Sequence, residues 1–388
     1  MSTVVYAPSR PVPAAEAGER IVALDGLRGF ACLLVVIGHY FGEVPHGVRF
    51  LGLEWLGVDL FFCLSGFLIG GILLDNRTSP SYFSTFYARR GFRIFPIYLV
   101  TVSLVLLALP YFEHQSGANH PPLVYFGYVQ NFVMATTGIE TTKWLMPTWT
   151  LCVEEQFYLL LPVILYLVPP RRLLAALLAL IASGVLFRVG LVIASANRLA
   201  LTMLLPSQWA LLFIGVLAAY ARRTPSRWSR LAENRGRLLR GIVFAGIGGL
   251  VVLIALDNTL GWRSVDMFGE LAFGTILTGF LLLVADGAPE GRRFEAPALC
   301  FVGRISYGLY LIHQPIAAVV HRLVLGTDPD VATPAQIAAT ILALAAAVAV
   351  AALSWTVFEA PLIRLGRRFR YVAPEAEWSE MVPPAACR

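Results

Sequence analysis

Charge is scarce in this sequence of 388 residues. Only 14% of the residues are charged and 57% are hydrophobic, whereas about a quarter of an average soluble domain is charged. Lysine is almost absent, since the basic side chains are 29 arginines and the single Lys143. No long polar stretch interrupts the chain between Ile21 and Leu365, which excludes a separate soluble domain there. The excess of apolar surface has to face lipid, and we therefore expect the chain to reside in a lipid bilayer.

Two further absences narrow the class of protein. The five cysteines are scattered, without the spacing of metal ligands or of a disulfide framework, so we expect no metal site. The basic residues do not cluster on a soluble face, as binding of nucleic acid would require, but lie at the ends of apolar runs. We therefore expect no nucleic-acid partner.

Apolar runs long enough to cross a bilayer recur along the whole chain and predict an all-α polytopic membrane protein of about ten transmembrane helices. We place them at residues 22–41, 53–74, 94–112, 148–168, 173–195, 201–220, 240–257, 267–285, 304–325 and 335–358. The arginines concentrate in the loops on one side, and the opposite loops hold only Arg49, Lys143, Arg198 and Arg263. The positive-inside rule then puts both termini in the cytoplasm. Residues 1–20 and 366–388 are the predicted cytoplasmic tails, and residues 21–365 form the membrane domain.

Two ionisable residues of the first span, Arg28 and His39, are eleven residues apart. In an α-helix this spacing is about 20° from a whole number of turns and about 16 Å along the axis, so one face carries both. Asp25 precedes Arg28 by three residues and can pair with it. The two residues either line a polar groove or serve as a surface anchor and an interfacial histidine.

The second and third apolar runs also carry polar residues. Asp59 and Ser65 lie between Gly57 and Phe67, where packing accounts for the small hydroxyl but not for a buried acid. Arg90 and Arg93 precede the third span. They are either a cluster that fixes orientation or a phosphate clamp, because guanidinium groups bind phosphate oxygens bidentately.

The fourth and ninth spans add carboxylates and a polar stripe. Trp149 opens the fourth span, and Glu154 can share a helix face with Tyr158 four residues later. In the ninth span a polar face carries Ser306, Tyr310 and His313, flanked by Tyr307. Together with the first and second spans, these residues indicate a lined cavity rather than isolated interhelical contacts.

These segments resemble, in order, those of the membrane-bound acyltransferase-3 family, which includes bacterial O-antigen and exopolysaccharide O-acetylases and macrolide O-acyltransferases. The resemblance extends from about Ile21 to Leu365. It rests on five segments: Leu24 to Gly29 with His39 eleven residues after Arg28, Phe61 to Gly66, Arg90 to Arg93, Trp149 to Tyr158, and Ser306 to His313.

The resemblance implies a multi-pass O-acyltransferase of a bacterial plasma (inner) membrane. Such a protein takes a short acyl group from cytoplasmic acyl-CoA, here expected to be acetyl-CoA, and places it on a hydroxyl of a sugar, polysaccharide, lipid-linked glycan or macrolide. The catalytic arginine and histidine of the family carry over onto Arg28 and His39, and its arginine pair carries over onto Arg90 and Arg93.

The chemistry of the residues agrees with these roles. A hydroxyl is a poor nucleophile at neutral pH, and an imidazole such as that of His39 can remove its proton as it attacks a thioester. Arginines can hold the phosphates of coenzyme A, and Arg28 can also stabilise the developing oxyanion. The predicted site comprises catalytic His39, Arg28 and Glu154, a coenzyme A cluster of Arg28, Arg90 and Arg93, and orienting residues Asp25, Asp59, Ser65, Trp149, Tyr307, Tyr310 and His313.

Two other classes of function are compatible with buried ionisable residues. One is a proton-coupled secondary transporter or exporter, against which stand the lack of an internal repeat and the shared face of Arg28 and His39. The other is a non-catalytic sensor with a degenerate site. Two routes of transfer are also open, because Cys32 and Ser65 are available for a covalent relay, although neither shows an adjacent base in the sequence. The sequence leaves the acceptor open.

Overall fold

Helices form the secondary structure in the computed structural model, which describes residues 21–112, 120–224 and 234–372, and no strand occurs among these residues. The described α-helices are α1 (Val22–Ile37), α2 (Glu54–Asp75), α3 (Tyr82–Phe112), α4 (Pro122–Phe126), α5 (Gln130–Thr137), α6 (Trp149–Leu167), α7 (Leu173–Ile193), α8 (Arg198–Met203), α9 (Leu205–Arg222), α10 (Arg235–Leu260), α11 (Ser264–Ala285), α12 (Pro297–Leu325), α13 (Pro334–Ser354) and α14 (Ala360–Gly366). The predicted tail 1–20 and residues 373–388 of the other predicted tail lie outside the described residues.

Ten helical segments of the described chain are long and apolar enough to cross a membrane. They are Val22–Gly42, Arg49–Asp75, Tyr82–Leu109, Met146–Leu167, Pro170–Ile193, Arg198–Arg222, Arg235–Leu260, Ser264–Ala285, Pro297–Leu325 and Pro334–Gly366. The predicted all-α architecture of about ten spans is confirmed. The cytoplasmic placement of the termini stays a prediction.

The third span begins earlier than the sequence predicted, at Tyr82 rather than at residue 94. The helix continues through the arginines before the apolar run because their side chains find partners beside it. Arg89 donates from Nε to the backbone carbonyl of Phe369 at 2.8 Å, and its guanidinium lies over the ring of Tyr371. Arg90 and Arg93 therefore lie inside a long helix and not in a loop.

Glycines bring the central helices into backbone contact. A Cβ atom added to Gly29 of α1 would lie 2.1 Å from the carbonyl oxygen of Leu299 in α12, and one added to Gly303 would lie 1.9 Å from that of Asp25. α1 and α12 can therefore approach this closely only with glycine at the crossing. As a result, polar residues on the facing sides of the two helices lie close together.

α2 makes an equivalent contact with α9. A Cβ atom on Gly66 would lie 2.0 Å from the carbonyl oxygen of Leu212, and one on Gly215 would lie 2.3 Å from that of Cys63. Gly66 and Gly215 thus permit the close approach of these two helices. It leaves Ser65 free to turn toward α6, which packs against another side of α2.

Candidate active site

A cavity of about 40 Å³ lies between α1, α2, α6 and α12. One water molecule needs about 10 to 15 Å³ measured this way, so a group of two or three heavy atoms fits. Its lining is mixed. The apolar lining residues are Val58, Phe61, Phe62 and Leu151, and the polar ones are Arg28, Thr150, Glu154, Ser306, Tyr307 and Tyr310.

The carboxylate of Glu154 is the acceptor at the end of a short hydrogen-bond chain. Ser65 donates from Oγ to Glu154 Oε1 at 2.5 Å, and the hydroxyl of Tyr158 donates to Ser65 Oγ at 3.1 Å. α2 and α6 are thereby tied together beside the cavity. Ser65, for which the sequence indicated no adjacent base, has one in Glu154.

Three arginines surround Glu154. Its carboxylate interacts electrostatically with Arg28, Arg90 and Arg93, and Arg93 in turn interacts with both of the other guanidinium groups. The Cζ atom of Arg90 lies 5.4 Å from the ring centroid of Tyr158, which holds this side chain by a cation–π contact. The structure thus gathers the predicted coenzyme A cluster around the predicted acid.

Glu155 belongs to the same cluster, although sequence reasoning did not select it. It is buried and interacts with Arg90 and with its neighbour Glu154. With three guanidinium groups and two carboxylates, the cluster carries a net positive charge when all five groups are ionised. Such a site attracts an anion, and guanidinium groups suit a phosphate.

His39 lies beyond the cavity, at the end of α1. There the helix widens into a π-helical turn, Gly38–Gly42, in which the backbone N–H of Glu43 donates to the carbonyl of Gly38 at 2.9 Å. The uniform α-helix assumed from the sequence is wrong at this point. Gly38 at the start of this turn packs closely against α2, since an added Cβ atom would lie 2.5 Å from Glu54 Oε2. π-turns of this kind occur frequently at functional sites.

The imidazole of His39 is paired with that of His313. His39 Nδ1 lies 3.0 Å from His313 Nε2, and His313 Nδ1 lies 2.7 Å from the backbone carbonyl of Tyr310. The hydroxyl of Tyr40 donates to the backbone carbonyl of His313 at 2.7 Å and holds this part of α12 against α1. The predicted residues His39, Tyr310 and His313 therefore form one chain of contacts.

These distances determine the tautomers of the neutral rings. A carbonyl can only accept, so His313 carries its proton on Nδ1 and presents a lone pair on Nε2. His39 must then donate from Nδ1, which leaves the lone pair of its own Nε2 unused by His313. This nitrogen faces Glu43, whose Oε2 lies 3.4 Å away. His39 thus presents a basic nitrogen away from α12.

Arg28 and His39 both face α12 but do not share one open groove. Arg28 lines the cavity, whereas His39 is absent from its lining, and Tyr310 and His313 lie between them. The ring centroids of Tyr310 and His313 are 5.9 Å apart. The polar stripe predicted on this helix connects the two places.

Three predicted orienting residues lie at the edge of this arrangement or away from it. Trp149 packs edge-on against Phe62 of the cavity wall, with ring centroids 6.1 Å apart. Asp25 is half-buried on α1, where its backbone carbonyl faces Gly303 of α12. Asp59 is absent from the lining of the cavity, although its neighbour Val58 belongs to it.

Asp59 instead joins a separate buried cluster of charges. It interacts with Arg188 of α7 and Glu270 of α11. Nη1 of Arg188 lies 3.3 Å from Glu270 Oε1 and donates to the backbone carbonyl of Leu201 at 2.7 Å. This geometry explains the buried acid as part of an interhelical ion cluster.

Comparison with known proteins gives a family and a set of relatives. The acyltransferase domain of the acyltransferase-3 family matches residues 21–357. The O-acetyltransferase OatA of Staphylococcus aureus strain NCTC 8325 is 26% identical over 322 residues, which cover 77% of this chain and 51% of OatA. A protein of strain COL that is also named as an O-acetyltransferase is 26% identical over 324 residues, covering 78% of this chain and 51% of its own. The chain spans about half the length of these curated relatives. No solved structure matches it.

Proposed function

This chain belongs to the acyltransferase-3 family, and from that premise we propose that it transfers a short acyl group from acyl-CoA to a hydroxyl of a carbohydrate or another hydroxylated acceptor. The observation that carries the proposal is the arrangement along α1. Arg28 lies in a positive cluster beside a small cavity, and His39 presents an unshared ring nitrogen further along the helix.

The proposed chemistry is a direct acyl transfer. His39 Nε2 takes the proton of the acceptor hydroxyl as its oxygen attacks the thioester carbonyl. Arg28 lines the cavity and, with Arg90 and Arg93, binds the coenzyme A part of the donor. The carbon–sulfur bond then breaks, and the thiolate of coenzyme A takes the proton from the His39 imidazolium. The products are an ester and the free thiol, and the histidine is restored.

The arginine cluster supports acyl-CoA as the donor. Arg90 and Arg93 are half-buried in α3 and held beside Glu154. A site with a net positive charge, in which guanidinium groups can bind phosphate oxygens bidentately, suits the phosphate groups of coenzyme A. With the arginine-rich loops in the cytoplasm, as the positive-inside rule predicts, this cluster would receive the donor from the cytoplasmic side of a bacterial plasma membrane.

The size of the cavity supports an acetyl group. A volume of about 40 Å³ beside Phe61, Phe62 and Leu151 has room for the few heavy atoms of an acetyl group. The mixed lining also suits a thioester, with the methyl group against the rings and the carbonyl toward Arg28. The names of the curated relatives agree with an acetyl donor.

The test is transfer of radiolabelled acetyl from acetyl-CoA by the purified chain in lipid vesicles, with a panel of hydroxylated acceptors. We expect His39→Ala to retain the thermal stability of the parent protein and to lose transfer. Transfer at the parental rate by this variant would remove His39 from the mechanism. A proton-coupled transporter would consume no thioester with any acceptor, so the same measurement decides between the two classes.

A further inference from the structure

Glu43 is the charged residue in contact with the unshared nitrogen of His39. Its Oε2 lies 3.4 Å from His39 Nε2, and half of its side chain is exposed. It follows the π-turn directly, and its backbone N–H closes that turn on Gly38. Neither the resemblance nor the sequence spacing had assigned it a role.

The contact requires a proton. Neutral His39 presents a lone pair on Nε2, and an ionised carboxylate presents further lone pairs, so the two groups attract each other only when one of them is protonated. A protonated Glu43 carries no charge, and it shares a side-chain hydrogen bond with Glu54. An ionised Glu43 would instead stabilise the imidazolium that forms when Nε2 takes a proton.

Neighbouring groups place this protonation near neutral pH. Burial, the charge of the adjacent Glu54 and a side-chain hydrogen bond with Glu54 raise the pKa of Glu43 from its usual 4.5 to about 7, while Lys143 opposes the rise and Glu140 adds to it. Glu54 Oε2 is buried against Gly38 and has no hydrogen-bond partner among the described residues. The charged and titratable groups around Glu43 are thus His39 and His313 behind it, Glu54 from α2, and Glu140 and Lys143 from the segment before α6.

We propose that Glu43 is a positioning residue for His39, which stabilises the His39 imidazolium when ionised and loses this effect when protonated. The inference rests on the proposed acyl transfer with His39 as base. Because Glu43 changes only its protonation state, the balance of the transfer reaction is unaltered. The rate should therefore rise with pH as Glu43 loses its proton, through a midpoint near 7.

The test is the pH dependence of kcat and KM between pH 5.5 and 9, with labelled acetyl-CoA and one accepted acceptor. Glu43→Gln should remove the rise and lower kcat at pH 8 by about tenfold, the scale expected for the loss of one contact with a charged group. KM for acetyl-CoA should stay unchanged, since Glu43 does not touch the arginine cluster. Glu43→Asp keeps a carboxylate and should restore the rise in part.

Two further variants separate this role from a structural one. Glu54→Gln removes the neighbouring charge that raises the pKa of Glu43 and should shift the midpoint to lower pH without abolishing the rise. Asp328→Asn is the matched control. This carboxylate lies in the connection between α12 and α13 and accepts a hydrogen bond from Arg322 at 2.9 Å. The pH profile of this variant should equal that of the parent protein.

The inference is overturned if Glu43→Gln keeps the parental pH profile while His39→Ala is inactive. A parent protein without any acyl transfer would instead refute the proposed function itself. A Glu43→Gln protein that fails to fold leaves the Glu54→Gln midpoint as the deciding measurement, and an unshifted midpoint there also overturns the inference.

Discussion

Replacing His313 by leucine tests the pairing of the two imidazoles. The substitution removes the acceptor 3.0 Å from His39 Nδ1 and leaves that donor facing a side chain that cannot bond to it. Leaving a buried donor without a partner costs about 1 to 3 kcal/mol, so loss of the preferred tautomer and ring orientation should lower kcat at least about fivefold. KM for acetyl-CoA should be unchanged, because His313 lies outside the cavity lining and the arginine cluster.

The assay is steady-state acetyl transfer by purified protein in vesicles, with the melting temperature of each variant as a check on folding. His313→Gln is the matched control, since its side-chain carbonyl can accept from His39 Nδ1, and it should retain kcat within about threefold. A folded His313→Leu protein with parental kcat would refute the tautomer argument. Equal losses in the leucine and glutamine variants would show that the imidazole shape matters and not its acceptor.

Two further predictions concern the arginine cluster and the cavity. Arg90→Gln and Arg93→Gln should each raise KM for acetyl-CoA about tenfold or more with little change in kcat. Arg89→Gln, whose parent side chain bonds to the carbonyl of Phe369, should not raise it. An unchanged KM in the first two variants would return those arginines to a purely topogenic role. Phe61→Ala removes a ring from the cavity lining and so enlarges the cavity. It should raise kcat/KM for butyryl-CoA relative to acetyl-CoA about tenfold. An unchanged ratio would show that this ring does not limit the length of the acyl chain.

The sequence was sufficient to predict the spans because lipid imposes one simple requirement, a run of apolar residues about 20 long. It failed at the start of α3, where Arg89, Arg90 and Arg93 suggested a loop. The helix continues there because Arg89 bonds to the carbonyl of Phe369 and Arg90 lies over the ring of Tyr158. Such partners are distant in sequence, and hydropathy carries no information about them.

Within the site, helical periodicity predicted the residues of α12 correctly as one face. Ser306 and Tyr310 line the cavity, and His313 continues the stripe to His39. The same reasoning did not predict the contact with Glu43, although its spacing of four residues from His39 was available. The sequence pattern assumed a uniform α-helix there, and neither the π-turn at Gly38–Gly42 nor the close approach of Glu54 to Gly38 can be read from helical spacing.

Asp59 shows why a buried polar residue is not by itself evidence for a catalytic role. α2 is buried on several sides, so its polar residues can face different neighbours. Ser65 turns to Glu154 beside the cavity, whereas Asp59 faces Arg188 and Glu270. A buried charge must find a partner wherever it lies, and the residue type alone does not say whether that partner is a substrate or another helix.

The arrangement along α1 also bears on how an acyl group could pass from one side of the membrane to the other. Arg28 of the arginine cluster and the base His39 lie along one helix. Tyr310 and His313 of α12 connect the two places. In the proposed orientation, coenzyme A would stay with its phosphates at Arg90 and Arg93, and only the thioester end would enter the cavity. The acceptor would then need to reach no deeper than Glu43 and His39. Direct transfer thus requires the acetyl thioester, still attached to coenzyme A, to pass Tyr310 and His313 before the acceptor at His39 can attack it.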